Sequence, residues 1–141
     1  MIDALRMSLN ATAVFGFIMY ILVAAILFAL FQFIYSRVTP HKEFALIREN
    51  NSAAALALGG SLIGFALPAS NIITYSVGIL DVIVWVVIAA VVQLLAFGVT
   101  SLVLKGLSAR IARGETAAAI YSASVAISVG LLNAACMTPS V

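Results

Sequence analysis

Between Arg6 and Arg37 the chain carries no charged residue, and most of the intervening positions are Ile, Leu, Val, Phe or Ala. A stretch of this kind is long enough to cross a bilayer, whose hydrocarbon core of about 30 Å takes roughly 20 residues of helix. Inside that core no water is available to the backbone, so a spanning segment must satisfy its peptide groups internally, as a helix does. Three more stretches qualify. The expected spans run from about 12 to 35, from 52 to at least 67, from about 79 to 104, and from about 116 to 137. The first exceeds the roughly 7–15 apolar residues of a secretory signal core and lacks a clear small-residue cleavage site, so it reads as a retained helix.

Composition agrees. Of 141 residues, 65% are hydrophobic and 9% charged, and the mean hydropathy is +1.22; a soluble domain carries about 25% charged residues. The expected fold is all-α: a polytopic membrane protein with four transmembrane helices, forming a single integral membrane domain over residues 1–141. Sequence composition places it in a membrane as a multi-pass protein.

The basic residues give the expected direction, because lysine and arginine concentrate in short cytoplasmic loops. Arg37, Lys42 and Arg48 follow span one; Lys105, Arg110 and Arg113 follow span three; only Arg6 lies on the other side. Both basic loops are therefore expected to be cytoplasmic, with the N and C termini on the periplasmic side. Trp85 would then sit near the outer interface and Tyr35 near the inner one. The net charge of +2 is small and unclustered, which excludes nucleic acid as an expected partner.

An offset of 64 residues brings the second half of the chain onto the first. Ile47 meets Ile111, Ser52 meets Thr116, and Ala53, Ala54 and Ala55 meet Ala117, Ala118 and Ala119. This predicts a parallel tandem repeat of two-helix units, one over about 12–77 and the other over about 78–138. Spans one and three are bulky and suited to lipid. Spans two and four carry stripes of small residues: Ala53, Ala57, Gly60 and Gly64 in the second, and Ala119, Ser122, Ala126, Gly130 and Asn133 in the fourth. Small stripes let backbones approach closely, so these two spans are expected at the centre, packed on each other or on symmetry mates. Pro68 removes the backbone bond to Gly64, so span two either ends there or kinks and continues.

Candidate functional residues fall into three groups. In the loops, Arg37, His41, Lys42, Glu43, Arg48, Lys105, Arg110 and Arg113 form a candidate docking surface for a cytoplasmic protein. Thr39 is expected to cap a short interfacial helix with Pro40 first, presenting Phe44 and Ile47 to the headgroups. At the helix starts, Asn50, Asn51, Ser52, Glu115 and Thr116 are expected to be caps, with a helix-terminus site as the alternative. Within the spans, Gly60, Gly64, Gln93, Ser122, Ser124, Ser128, Gly130 and Asn133 serve either packing or a polar path. A single histidine, His41, and a single cysteine, Cys136, fall short of a metal ligand set or a Cys–His pair. No catalytic residue, metal or cofactor is expected, and Cys136 reads as a buried, inert thiol.

Three ordered segments resemble the YjfL-like inner-membrane proteins: Tyr35 to Glu43, Ile47 to Ala54, and Asn133 to Thr138. The likeness extends over essentially the whole chain. It implies a bacterial inner-membrane protein of two tandem two-helix units and no assigned activity. It also implies an association with envelope-stress operons that include proteins similar to phage-shock membrane-remodelling proteins. The expectation is thus a non-enzymatic, homo-oligomeric module in contact with membrane lipid, working with a cytoplasmic partner in envelope maintenance. The alternative is an ion or small-solute channel built from helices two and four.

Overall fold

The computed structural model describes residues 1–137, and every regular element in that range is a helix. Thr138, the end of the second expected repeat unit and of the third family-like segment, lies outside the described residues. Seven helices follow in order: α1 (Ile2–Ser8), α2 (Ala11–Val38), α3 (Glu43–Arg48), α4 (Ser52–Tyr75), α5 (Ile79–Val103), α6 (Leu107–Ala112) and α7 (Thr116–Cys136). Helices α2, α4, α5 and α7 are long and apolar enough to cross a membrane. The short α1 was not expected, and it buries no residue.

Local chemistry fixes where the spans begin. Asn10 caps α2, its side-chain oxygen accepting from Ala13 N at 2.7 Å, and Asn51 caps α4 in the same way from Ala54 N at 3.0 Å. Each such bond satisfies an amide that the helix itself cannot. Helix α4 continues through Pro68 to Tyr75. Proline removes the bond that would end on the Gly64 carbonyl, and that oxygen instead faces α7. A methyl group added at Gly130 would collide with it.

The centre is the pair α4 and α7, which make the most extensive contact between any two helices. They run parallel, since Gly60 approaches Ala123, Gly64 approaches Ala126 and Gly130, and Asn71 Nδ2 donates to Ala134 O at 2.6 Å. A side chain at Gly60 or Gly64 would strike α7 backbone. The expected small stripes are the buried ones: Ala53, Ala57, Gly60 and Gly64 on α4, and Ala119, Ser122, Ala126 and Gly130 on α7. Lipid offers apolar groups the same surroundings as a neighbouring helix, so close van der Waals packing of this kind holds the pair together.

Helix α5 covers the pair with one seam, Val82, Val86, Ala89, Gln93, Ala96 and Thr100. The alternating four- and three-residue spacing is that of a knobs-into-holes face. Away from that seam α5 is exposed or half-buried, and α2 buries only Phe31 and Tyr35. Helix α2 is anchored through its last turns, where Phe31 stacks on Phe65 at 4.1 Å and Tyr35 meets Phe97 edge-on at 5.5 Å. Tyr35 is therefore buried rather than placed at the lipid interface, and its hydroxyl pairs with Ser61.

Candidate functional site at the two basic turns

Two turns occupy one end of the bundle, and the backbone bonds that lead into the next span correspond. In the first, Asn50 N donates to Ile47 O and Asn51 N to Leu46 O; in the second, Gly114 N donates to Ile111 O and Glu115 N to Arg110 O. Each turn passes through a left-handed residue just before the next span, Asn50 at φ 64 and Gly114 at φ 82, and the second turn has another at its start, Gly106 at φ 73. Glycine adopts that conformation freely, and asparagine is among the few other residues that tolerate it.

Asn51 joins the turns. Besides capping α4, its Nδ2 lies within hydrogen-bonding distance of the carbonyls of Ile111 and Ala112, at 3.2 and 3.1 Å. These carbonyls belong to the last turn of α6, where orphan acceptors need partners. Glu115, expected as the matching cap, makes no cap bond. It pairs instead with Arg110 and with Arg113, the latter at 2.8 Å. Hydrogen bonds from Arg110 and then Arg113 hold its carboxyl below the usual range. Asn50 is the left-handed residue rather than a cap, and Ser52 and Thr116 are exposed first residues of their helices.

The first turn departs most from the sequence reading. Thr39 closes α2 rather than opening α3, and its hydroxyl donates to Glu43 Oε1 at 2.8 Å. The first residue of the short helix is Glu43, not Pro40. Phe44 is exposed as expected, while Ile47 packs inward. His41 and Glu43, expected on a solvated docking surface, are 7% and 2% exposed. His41 Nε2 stands 3.5 Å from Glu43 Oε1. Burial pushes the Glu43 carboxyl above its ordinary range, partly opposed by Thr39, and pushes the His41 imidazole below its own. Sequence reasoning missed this pair because charged residues in a loop usually face water. The offset of 64 was the available signal, since it sets Glu43 against Leu107, a core-type residue.

The remaining basic residues divide. Lys42, Arg48 and Lys105 are exposed, and Arg37 lies 4.6 Å over the Phe33 ring. Arg110 and Arg113 are committed to Glu115.

Within the spans, the candidates separate into inside and outside. Gly60, Gly64, Ser122 and Gly130 are in the α4–α7 contact. Gln93 is buried, donating through Nε2 to Ala126 O at 3.0 Å, with Oε1 lacking a hydrogen-bond partner. Around it Ser61, Thr100 and Ser122, which the sequence reading did not join to Gln93, line a closed space with no room for a water molecule. Ser124 and Ser128 are exposed on the outer face of α7, and Asn133 is half-buried. The polar path expected from these residues is therefore not assembled within one chain. Cys136 is exposed rather than buried, and it lines a cavity of about 330 Å³ with Tyr75, Asp81, Trp85 and Met137 at the opposite end.

Four apolar helices around a small-residue contact, capped by polar turns at one end, define a multi-pass helical membrane protein. The chain belongs to the YjfL-like family: residues 8–137 match the model of a Domain of Unknown Function, DUF350. It is 41% identical over 123 residues to the UPF0719 inner membrane protein YjfL of Escherichia coli strain K12, and equally to that of Escherichia coli O157:H7, covering 87% of this chain and 93% of each relative. No solved structure matches it. The protein is accordingly a multi-pass protein of the inner membrane.

Proposed function

We propose that this protein is a non-enzymatic, homo-oligomeric inner-membrane module that works with a cytoplasmic protein partner in envelope or membrane-stress maintenance. The basic end faces the cytoplasm in this reading, with both termini periplasmic. The observation that carries it is the pairing of a closed centre with an unused outer face. Gly60, Gly64 and Gly130 bring α4 and α7 together too closely for a passage, yet α7 turns Ala117, Tyr121, Ser124 and Ser128 outward on one stripe. Hydroxyls and small residues on a lipid-facing stripe are the means by which spans associate, so this stripe is the contact between copies. The matched backbones of the two turns, and the parallel course of α4 and α7, support a tandem duplication.

The partner docks on the exposed charges of the turns over 36–51 and 105–115: Arg37, Lys42, Arg48 and Lys105, with Arg110 and Arg113 presented together with Glu115. The test is to neutralise Lys42, Arg48 and Lys105 together and compare proteins recovered by gentle co-purification. The proposal expects one partner to disappear while insertion and oligomer size are kept. Unchanged recovery of every co-purifying protein would remove the docking claim.

The second reading, a channel or facilitator, is favoured by the buried polar set Ser61, Gln93, Thr100 and Ser122. It requires that set, or the Ser124 and Ser128 stripe, to open around an oligomer axis. Flux in liposomes above that of empty vesicles, abolished by Gln93→Leu, would replace the module reading with this one.

A further inference from the structure

Beside the first turn, a groove of about 710 Å³ runs between the last turns of α2 and α5 and the flank of α6. Its long wall is apolar, made by Val38, Leu94, Phe97 and Leu107. Gly98 also lines it, and a Cβ there would meet nothing within 4 Å. From Leu94 to Ser101 the wall follows α5 for about 10 Å, so the groove starts on the lipid-facing part of a span and finishes at the basic end.

Unpaired polar groups collect at that finish. His41 lines the groove and is 7% exposed, yet its Nδ1 has no hydrogen-bond partner and its Nε2 makes only the long approach to Glu43. Ser101 Oγ, on the same wall, is buried and equally without a partner. Buried polar groups in folded proteins are overwhelmingly bonded, and those left open call for a ligand or solvent atom. Lys42 and Lys105 are exposed next to His41 and to Gly106, a residue of the groove wall, and make no ion pair among the described residues. Glu43 is not on the wall, so no carboxylate faces the space.

We propose that this groove seats one anionic phospholipid, its phosphate accepting hydrogen bonds from His41 and Ser101 while an acyl chain lies along Leu94, Phe97 and Gly98. The volume is that of a small-molecule site. An apolar wall with donors at one end fits a molecule that is apolar for most of its length and has acceptors at one end. Lys42 and Lys105 supply charge of the sign a phosphate needs and suit the negative surface of an anionic leaflet. The site shares Lys42 and Lys105 with the docking reading but needs no partner protein, so substitutions at Gly98, His41 and Ser101 test it separately.

The test is native mass spectrometry of the full chain, purified in detergent and titrated with phosphatidylglycerol, with phosphatidylcholine and inorganic phosphate run separately. One phosphatidylglycerol per chain is expected to remain bound, at least tenfold more tightly than phosphatidylcholine, with no protection by inorganic phosphate. Gly98→Leu fills the groove from open space and is expected to abolish retention without lowering the melting temperature. His41→Gln and Ser101→Ala are each expected to weaken it several-fold. Retention by Gly98→Leu equal to that of the original chain would overturn the site. Equal binding of the two lipids would overturn the anionic choice, and displacement of the lipid by inorganic phosphate would reassign the groove to the free ion.

Discussion

In the turn between α2 and α4, Glu43 opens a six-residue helix and is buried; in the turn between α5 and α7, Leu107 opens a six-residue helix and is buried as well. Most of the backbone hydrogen bonds that follow correspond between the two turns, down to the left-handed residue before the next span. The side chains do not. The first turn hides the Glu43 carboxyl among Thr39 and His41, whereas the second places Glu115 outside between two arginines. The path from the short helix into the next span is thus set by backbone bonds and one φ-tolerant position, and it accepts either an apolar or an ionisable residue at the buried site. A leucine there needs no partners. A carboxyl does, and replacing buried ionic groups by apolar ones is often neutral or stabilising. Folding alone therefore gives no reason for Glu43, and its neighbours on the groove wall become the more interesting part of that turn.

The largest effect should come from cutting the link between the turns. Asn51→Ala removes the α4 cap and the bonds to Ile111 and Ala112, at a cost of about 2–3 kcal/mol from typical single-bond values. Unfolding in lipid nanodiscs would measure it, and a loss under about 1 kcal/mol would mean that apolar packing, not Asn51, holds the turns in register. Next comes backbone strain. Gly114→Val should lose about 1–2 kcal/mol, while Gly114→Asn should lose much less, because Asn50 already occupies the equivalent place. Equal losses for the two variants would break the correspondence between the turns.

The third effect depends on pH. Folding raises the Glu43 carboxyl above 4.5, so its contribution is complete below that value and is lost as pH rises through the folded value. His41 runs the other way, its contribution being present above 6.5 and lost on acidification. Glu43→Gln should therefore melt higher than the original chain above the ordinary imidazole range, with the gap shrinking as pH falls towards 4.5. A gap that widens in acid would reverse the assignment. The smallest effect belongs to Glu115→Gln, because the carboxyl is solvent-screened and exposed pairs contribute little. Its melting temperature should be nearly that of the original at neutral pH. The slight difference should vanish in acid, where the depressed carboxyl of the original chain is protonated too.

The spans were legible because the membrane makes a simple demand of sequence, and their limits agree within a few residues apart from the end of α4. The α4–α7 contact was legible for a similar reason, since only residues as small as Gly60, Gly64 and Gly130 permit that distance. Pro68 could not be decided from sequence, because whether a span survives a lost bond depends on what the freed carbonyl meets. Thr39, His41 and Glu43 misled for a different cause. A local pattern suggests a cap at Thr39 and solvated charges after it, whereas Thr39 closes α2 and His41 lines a groove with Leu107 and Ser108 of α6, an element distant in sequence. Cys136 was assigned by residue type, whereas its exposure follows from its place at the open end of the bundle.

The tightest contact joins α4 to α7, the last of the described helices. Chains are made from the N-terminus, so the ribosome delivers α4 well before its mate. Until residues 116–136 have been threaded into the bilayer, the glycine face around Gly60 and Gly64 remains an open seam against lipid. A nascent chain arrested after α5 would lack the helix that seals this seam. Sealing the centre therefore waits for the last of the described helices to be made, although α5 can pack on α4 before it.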